Sequence, residues 1–72
     1  MSELTQAEET WRVARTAVGD VEVSTVSIAN EGDRLGFETM VFGGEHDHEV
    51  ERYVTRDAAV AGHARWVEAV TP

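Results

Sequence analysis

The sequence predicts an α+β domain, a four-stranded antiparallel meander with one C-terminal helix packed on one face (ββββα). Three observations carry this expectation. Four runs rich in β-branched and aromatic residues come first, and a single stretch with helical spacing follows. The runs are punctuated by Gly19-Asp20, by Asn30-Glu31-Gly32-Asp33 and by Gly43-Gly44, residue types that turn a chain. Residues 9–72 make the single domain, and the polar segment 1–8 is expected to be a flexible lead-in.

The first strand spans Thr10 to Val18, where Trp11 and Val13 alternate with Arg12. Gly19-Asp20 then reads as a two-residue hairpin turn, with glycine supplying positive φ at its first position. The second strand, Val21 to Ala29, changes phase: Val21 and Val23 precede Val26 and Ile28. A period of two cannot place all four on one face. Either a bulge lies near Ser24-Thr25, or the two faces are covered at different ends. The third strand, Arg34 to Phe42, puts Leu35, Phe37 and Val41 on one face and Met40 and Phe42 on the other. One helix covers one face, so the second face predicts a homodimer or a protein partner.

Glu45 to Glu49 reads as a polar loop, and Val50 to Val54 as a short fourth strand. Thr55 is a natural N-cap, and Asp57 falls in the first turn, where the helix dipole favours an acid. The helix runs from Arg56 to Val70. At 100° per residue, Ala59, Val60, Trp66, Val67 and Val70 form one stripe with His63 near its middle. Gly62 sits inside the helix at about 1 kcal/mol relative to alanine, which predicts close packing against the sheet.

Composition narrows the function classes. Seventy-two residues with 42% hydrophobic content support one small core. Ordering such a chain costs about 1.5 kcal/mol per residue, so self-association is a common way to bury more surface. There is no cysteine, which removes thiol catalysis and thiolate metal sites and fits a reducing cytoplasm. The net charge is −8 and every basic residue is arginine. That balance opposes direct nucleic-acid binding, favours solubility and suits a basic partner. No targeting signal and no membrane-length apolar run is visible, so a cytoplasmic protein is expected.

Few residues point to chemistry. His46 and His48 flank Asp47, and all three types ligate zinc, but the spacing matches no metal-ligand signature. A solvated acidic loop is the plainer reading, and no cofactor is expected. His63 on the apolar stripe needs hydrogen-bond partners, for which Glu38 and Tyr53 are the candidates, giving a structural polar contact. A poised acid–base pair of His63 and Glu38 is the sharper alternative. Gly43-Gly44 has the composition of a backbone anion nest, yet the acids that follow oppose phosphate and favour a simple turn. Trp11, Met40 and Phe42 are candidate interface residues, since aromatic residues and methionine are enriched at contact surfaces.

The segments VSTV (Val23 to Val26), FETMVFGG (Phe37 to Gly44), Arg52-Tyr53, Thr55 and Ala61-Gly62-His63 together resemble a family of small proteins encoded by actinobacterial phages and their hosts. The resemblance covers roughly Val23 to Val70. The chain departs from it at Ser27 to Asn30, where the similar proteins are more aromatic, and at Arg56-Asp57, where they carry acids. It implies a phage setting in a host cytoplasm and brings no activity, cofactor or catalytic residue. The expected function is therefore a small non-enzymatic interaction protein, binding itself or a host or phage protein through the open sheet face. Two alternatives are an acidic nucleic-acid mimic that inhibits a DNA-binding or defence protein, and a minor metal-binding protein or enzyme using His63 or the His46/His48 loop.

Overall fold

A computed structural model describes residues 11–29 and 35–72. Four strands, β1 (Arg12–Val18), β2 (Val21–Ala29), β3 (Leu35–Phe42) and β4 (Val50–Tyr53), precede one helix, α1 (Arg56–Val70). The strands pair in chain order into one antiparallel sheet. The helix packs across one face and touches all four strands. This is the expected ββββα architecture. The expectations of a flexible segment 1–8, a strand start at Thr10, a turn at Asn30–Asp33 and a third strand from Arg34 fall on residues outside those described.

Gly19 has φ +59°, and Asp20 is not in the positive-φ region, which places the strained position where the hairpin needs it. Of the two explanations for the phase change in β2, a bulge within that strand near Ser24-Thr25 is set aside. β2 pairs with β3 without interruption from Glu22↔Phe42 to Ala29↔Leu35. The irregularity lies in β1, where Arg12 pairs with Val26 and Ala14 with Thr25, leaving Val13 as the extra residue. The phase change in β2 instead reflects two faces. Val23 and Thr25 are fully buried under the helix, while Val26 and Ile28 alternate onto the opposite, helix-free face.

The same alternation sorts β3. Phe37, Thr39 and Val41 are buried beneath α1, and Met40 and Phe42 point the other way. The helix begins as its sequence requires: the Ala58 amide donates to Thr55 Oγ1 at 3.1 Å. Its buried residues are Ala59, Gly62 and His63. Val60 does not belong to this stripe and is 53% exposed, because it sits about 60° beyond His63 at the stripe's edge. Gly62 is required by one neighbour. A Cβ built there collides with the hydroxyl and ring of Tyr53.

Gly43 and Gly44 both have positive φ, +94° and +71°. A Cβ at Gly43 would meet the Asp20 carbonyl oxygen at 2.7 Å, so the turn also sets how closely β3 approaches the first hairpin. The loop beyond is well ordered by its own bonds. The His48 amide donates to the Val41 carbonyl at 2.7 Å, and the Val41 amide donates to the Glu49 carbonyl at 3.0 Å. Two residues thus oppose Val41, with the first at φ +71°: a bulge of the kind that normally carries glycine, here with His48 in its place. His48→Gly should therefore raise stability by about 1 kcal/mol, the rough penalty of a left-handed non-glycine residue. Its thermal midpoint should rise, and the exposed His48 side chain leaves little else to lose.

Candidate functional site

Two regions of the sheet carry unusual chemistry. The first lies between sheet and helix. Strand positions in the buried phase of β2 and β3 are held by Thr25 and Thr39, which pair directly across the two strands and are fully buried. β-Branched threonines suit the strands, but their hydroxyls must be satisfied once desolvated. Their Oγ1 atoms lie 2.5 Å apart. Above them α1 delivers His63, 7% exposed. Its Nδ1 lies 2.7 Å from Thr25 Oγ1 and its Nε2 lies 2.9 Å from Thr16 Oγ1.

The contact continues toward the far edge of the sheet. The Tyr53 hydroxyl lies 3.0 Å from Thr39 Oγ1 and 2.8 Å from Glu51 Oε1. Glu51 also accepts from Trp66 Nε1 at 2.9 Å and from Arg65 at 3.3 Å. One residue from each of the first three strands, two from β4 and three from the helix thus share one polar network. Burial pushes the His63 pKa below its ordinary value, so the ring is neutral at neutral pH. The Tyr53 hydrogen bond, helped by Trp66 and Arg65, holds the Glu51 carboxyl below the usual range. Burial raises the Tyr53 phenol.

The expected partners of His63 are corrected here. Glu38 lies on the opposite face of β3 and pairs with Arg52, Nε to Oε2 at 3.0 Å. Tyr53 reaches His63 only through Thr39 and Thr25. The acid–base reading that paired His63 with Glu38 therefore has no geometric basis, and both ring nitrogens are occupied by hydroxyls. The sequence signal for the network was present: threonines at core phase on two adjacent strands, opposite each other, beneath a histidine on an apolar helix stripe.

His46 and His48 do not converge. His46 Nδ1 lies 2.8 Å from Glu49 and its ring stacks edge-on against Trp66, whereas His48 Nδ1 lies 3.0 Å from Asp47. Among the described residues, no group of three histidine or acidic side chains is placed to hold a metal ion. The Gly43 amide donates to Asp47 Oδ1 at 2.6 Å, so the loop's own carboxylate fills the position an anion would take.

The second region is the helix-free face. Its rows follow from the register: Arg15, Ser24, Met40 and Val50 form one, and Arg12, Val26, Glu38 and Arg52 the next. Phe42 is 41% exposed and Val50 45%; Trp11, 40% exposed, precedes β1 and has no place in these rows. Beyond Glu38, a notch of about 210 Å³ at the end of the sheet is bordered by Ile28, Gly36, Phe37, Arg52, Tyr53 and Val54. Two of its arginines are paired, Arg15 to Glu22 at 2.7 Å and Arg52 to Glu38, while the Arg12 guanidinium lies over the Trp11 ring at 5.3 Å. Such exposed pairs contribute little to stability, and they neutralise two of the basic groups a phosphate track would need.

No helix among the described residues is long and apolar enough to cross a membrane. The chain has no match among protein-family models and no significant match among curated proteins or solved structures.

Proposed function

We propose that the chain is a small non-enzymatic interaction protein that binds a second copy of itself, or another protein, through the helix-free face of its sheet. The observation that supports this reading most is the placement of Met40, Phe42 and Val50 together on that face, with Phe42 and Val50 each more than a third exposed. No described element packs over them. A chain this small gains stability by covering such a surface. The phage and host-cytoplasm setting rests on the sequence resemblance.

The acidic-mimic reading draws on the net charge of −8 and on the exposed acids Glu45, Asp47 and Glu49 of the loop. The two separate by ionic strength: association through charge weakens steeply with salt, and an apolar contact does not. Sedimentation velocity of the untagged chain over a concentration series tests self-association. A dimer that persists at high salt is expected, and Phe42→Glu should weaken it at least 30-fold, the effect of losing a central aromatic contact of about 2 kcal/mol. A monomer throughout would exclude self-binding and leave only a different protein as the occupant.

A further inference from the structure

The polar network has a direction. Five contacts join Thr16, His63, Thr25, Thr39, Tyr53 and Glu51 in a line. Each contact needs one proton, and five are present: one on each hydroxyl and one on neutral imidazole. An ionised carboxylate only accepts, so the Tyr53 proton must point to Glu51. Tyr53 then accepts from Thr39, Thr39 accepts from Thr25, and Thr25 accepts from Nδ1–H of His63. Nε2 is left bare and accepts from Thr16. No other arrangement fills all five contacts.

We propose that Glu51 acts as a positioning residue at a distance, fixing neutral His63 as the Nδ1–H tautomer through three intervening hydroxyls. The device spans the sheet from β4 to β1 and makes the state of the partly exposed Glu51 legible at the buried ring. It stands independently of the association reading, because none of its members lies on the helix-free face. Groups facing His63 are hydroxyls from β1 and β2, with no carboxylate in contact, so nothing nearer competes with Glu51 for control of the tautomer.

Long-range ¹H–¹⁵N NMR of the imidazole at neutral pH reads the tautomer directly. The wild-type chain should show Nδ1 protonated and Nε2 bare. Tyr53→Phe keeps the ring against Gly62 and removes only the hydroxyl. Four protons then serve three contacts, so one is surplus: the fully buried Thr39 proton keeps only Thr25 as an acceptor, Thr25 donates to Nδ1, the imidazole proton moves to Nε2, and the surplus falls to part-buried Thr16. Thr39→Val should produce the same shift. A structural role for these hydroxyls without directional coupling would leave the tautomer unchanged. A wild-type ring protonated at Nε2 overturns the proposal without any variant, as does a folded Tyr53→Phe chain whose His63 remains Nδ1–H.

Discussion

Gly62→Ala is expected to lower stability by about 2 kcal/mol, although alanine is the better helix former by about 1 kcal/mol. The added methyl occupies the space of the Tyr53 hydroxyl and ring. Neither partner yields easily: Gly62 is on the buried face of α1, and Tyr53 is held by Thr39 and Glu51. In a domain of this size, about 2 kcal/mol corresponds to a fall of roughly 10 °C in thermal midpoint. The cause is checked by a double-mutant cycle. Tyr53→Ala should remove most of the penalty of Gly62→Ala, and additive effects would place the strain elsewhere.

Thr25→Val is the second large effect. The replacement is nearly isosteric at a position with no solvent exposure, so packing is conserved and only the hydroxyl is lost. That hydroxyl serves Thr39 and His63 together. Each buried polar group left without a partner costs about 1–3 kcal/mol. A loss of about 2–4 kcal/mol is expected, a large part of what holds a chain this small together. Denaturant unfolding should show a lower midpoint with an unchanged slope. Equal stability would mean that the hydroxyl chain contributes nothing net to the fold.

These two variants mark where sequence reading succeeded and where it stopped. The order of elements was legible because local rules agree with one another: Gly19 at a hairpin position, paired glycines after Phe42, and Thr55 capping a helix. Gly62 was legible as a close approach, though not as an approach to Tyr53 in particular. The phase change in β2 stayed open between a bulge and two covered faces. Deciding between them needs the register with β3, which a single strand does not carry. His48 as a left-handed bulge residue gave no signal, since no glycine marks the position and the bulge shows only in the pairing with Val41.

The hydroxyl network was missed for a different reason. Hydrophobic periodicity reads apolar residues and passes over threonine, yet Thr25 follows Val23 in core phase and Thr39 lies in core phase between Phe37 and Val41. Seeking a charged partner for His63 led to Glu38, which alternation places on the other face. The buried imidazole is satisfied by neutral groups instead, which suits its lowered pKa. The helix-free face was legible as a surplus of large apolar residues. Two of its arginines were not legible as internally paired, because Arg15–Glu22 and Arg52–Glu38 meet across strands.

The central claim is that the face carrying Met40 and Phe42 binds protein. The most direct test immobilises the chain as bait in a lysate supplemented with an untagged copy, beside a Phe42→Glu bait, at low and high salt. One protein, the chain itself or another, should be retained by the wild-type bait at both salts and lost from Phe42→Glu. Retention at low salt alone, indifferent to Phe42, would contradict the claim in favour of binding through acidic charge. Equal yields from the two baits at high salt would contradict it outright.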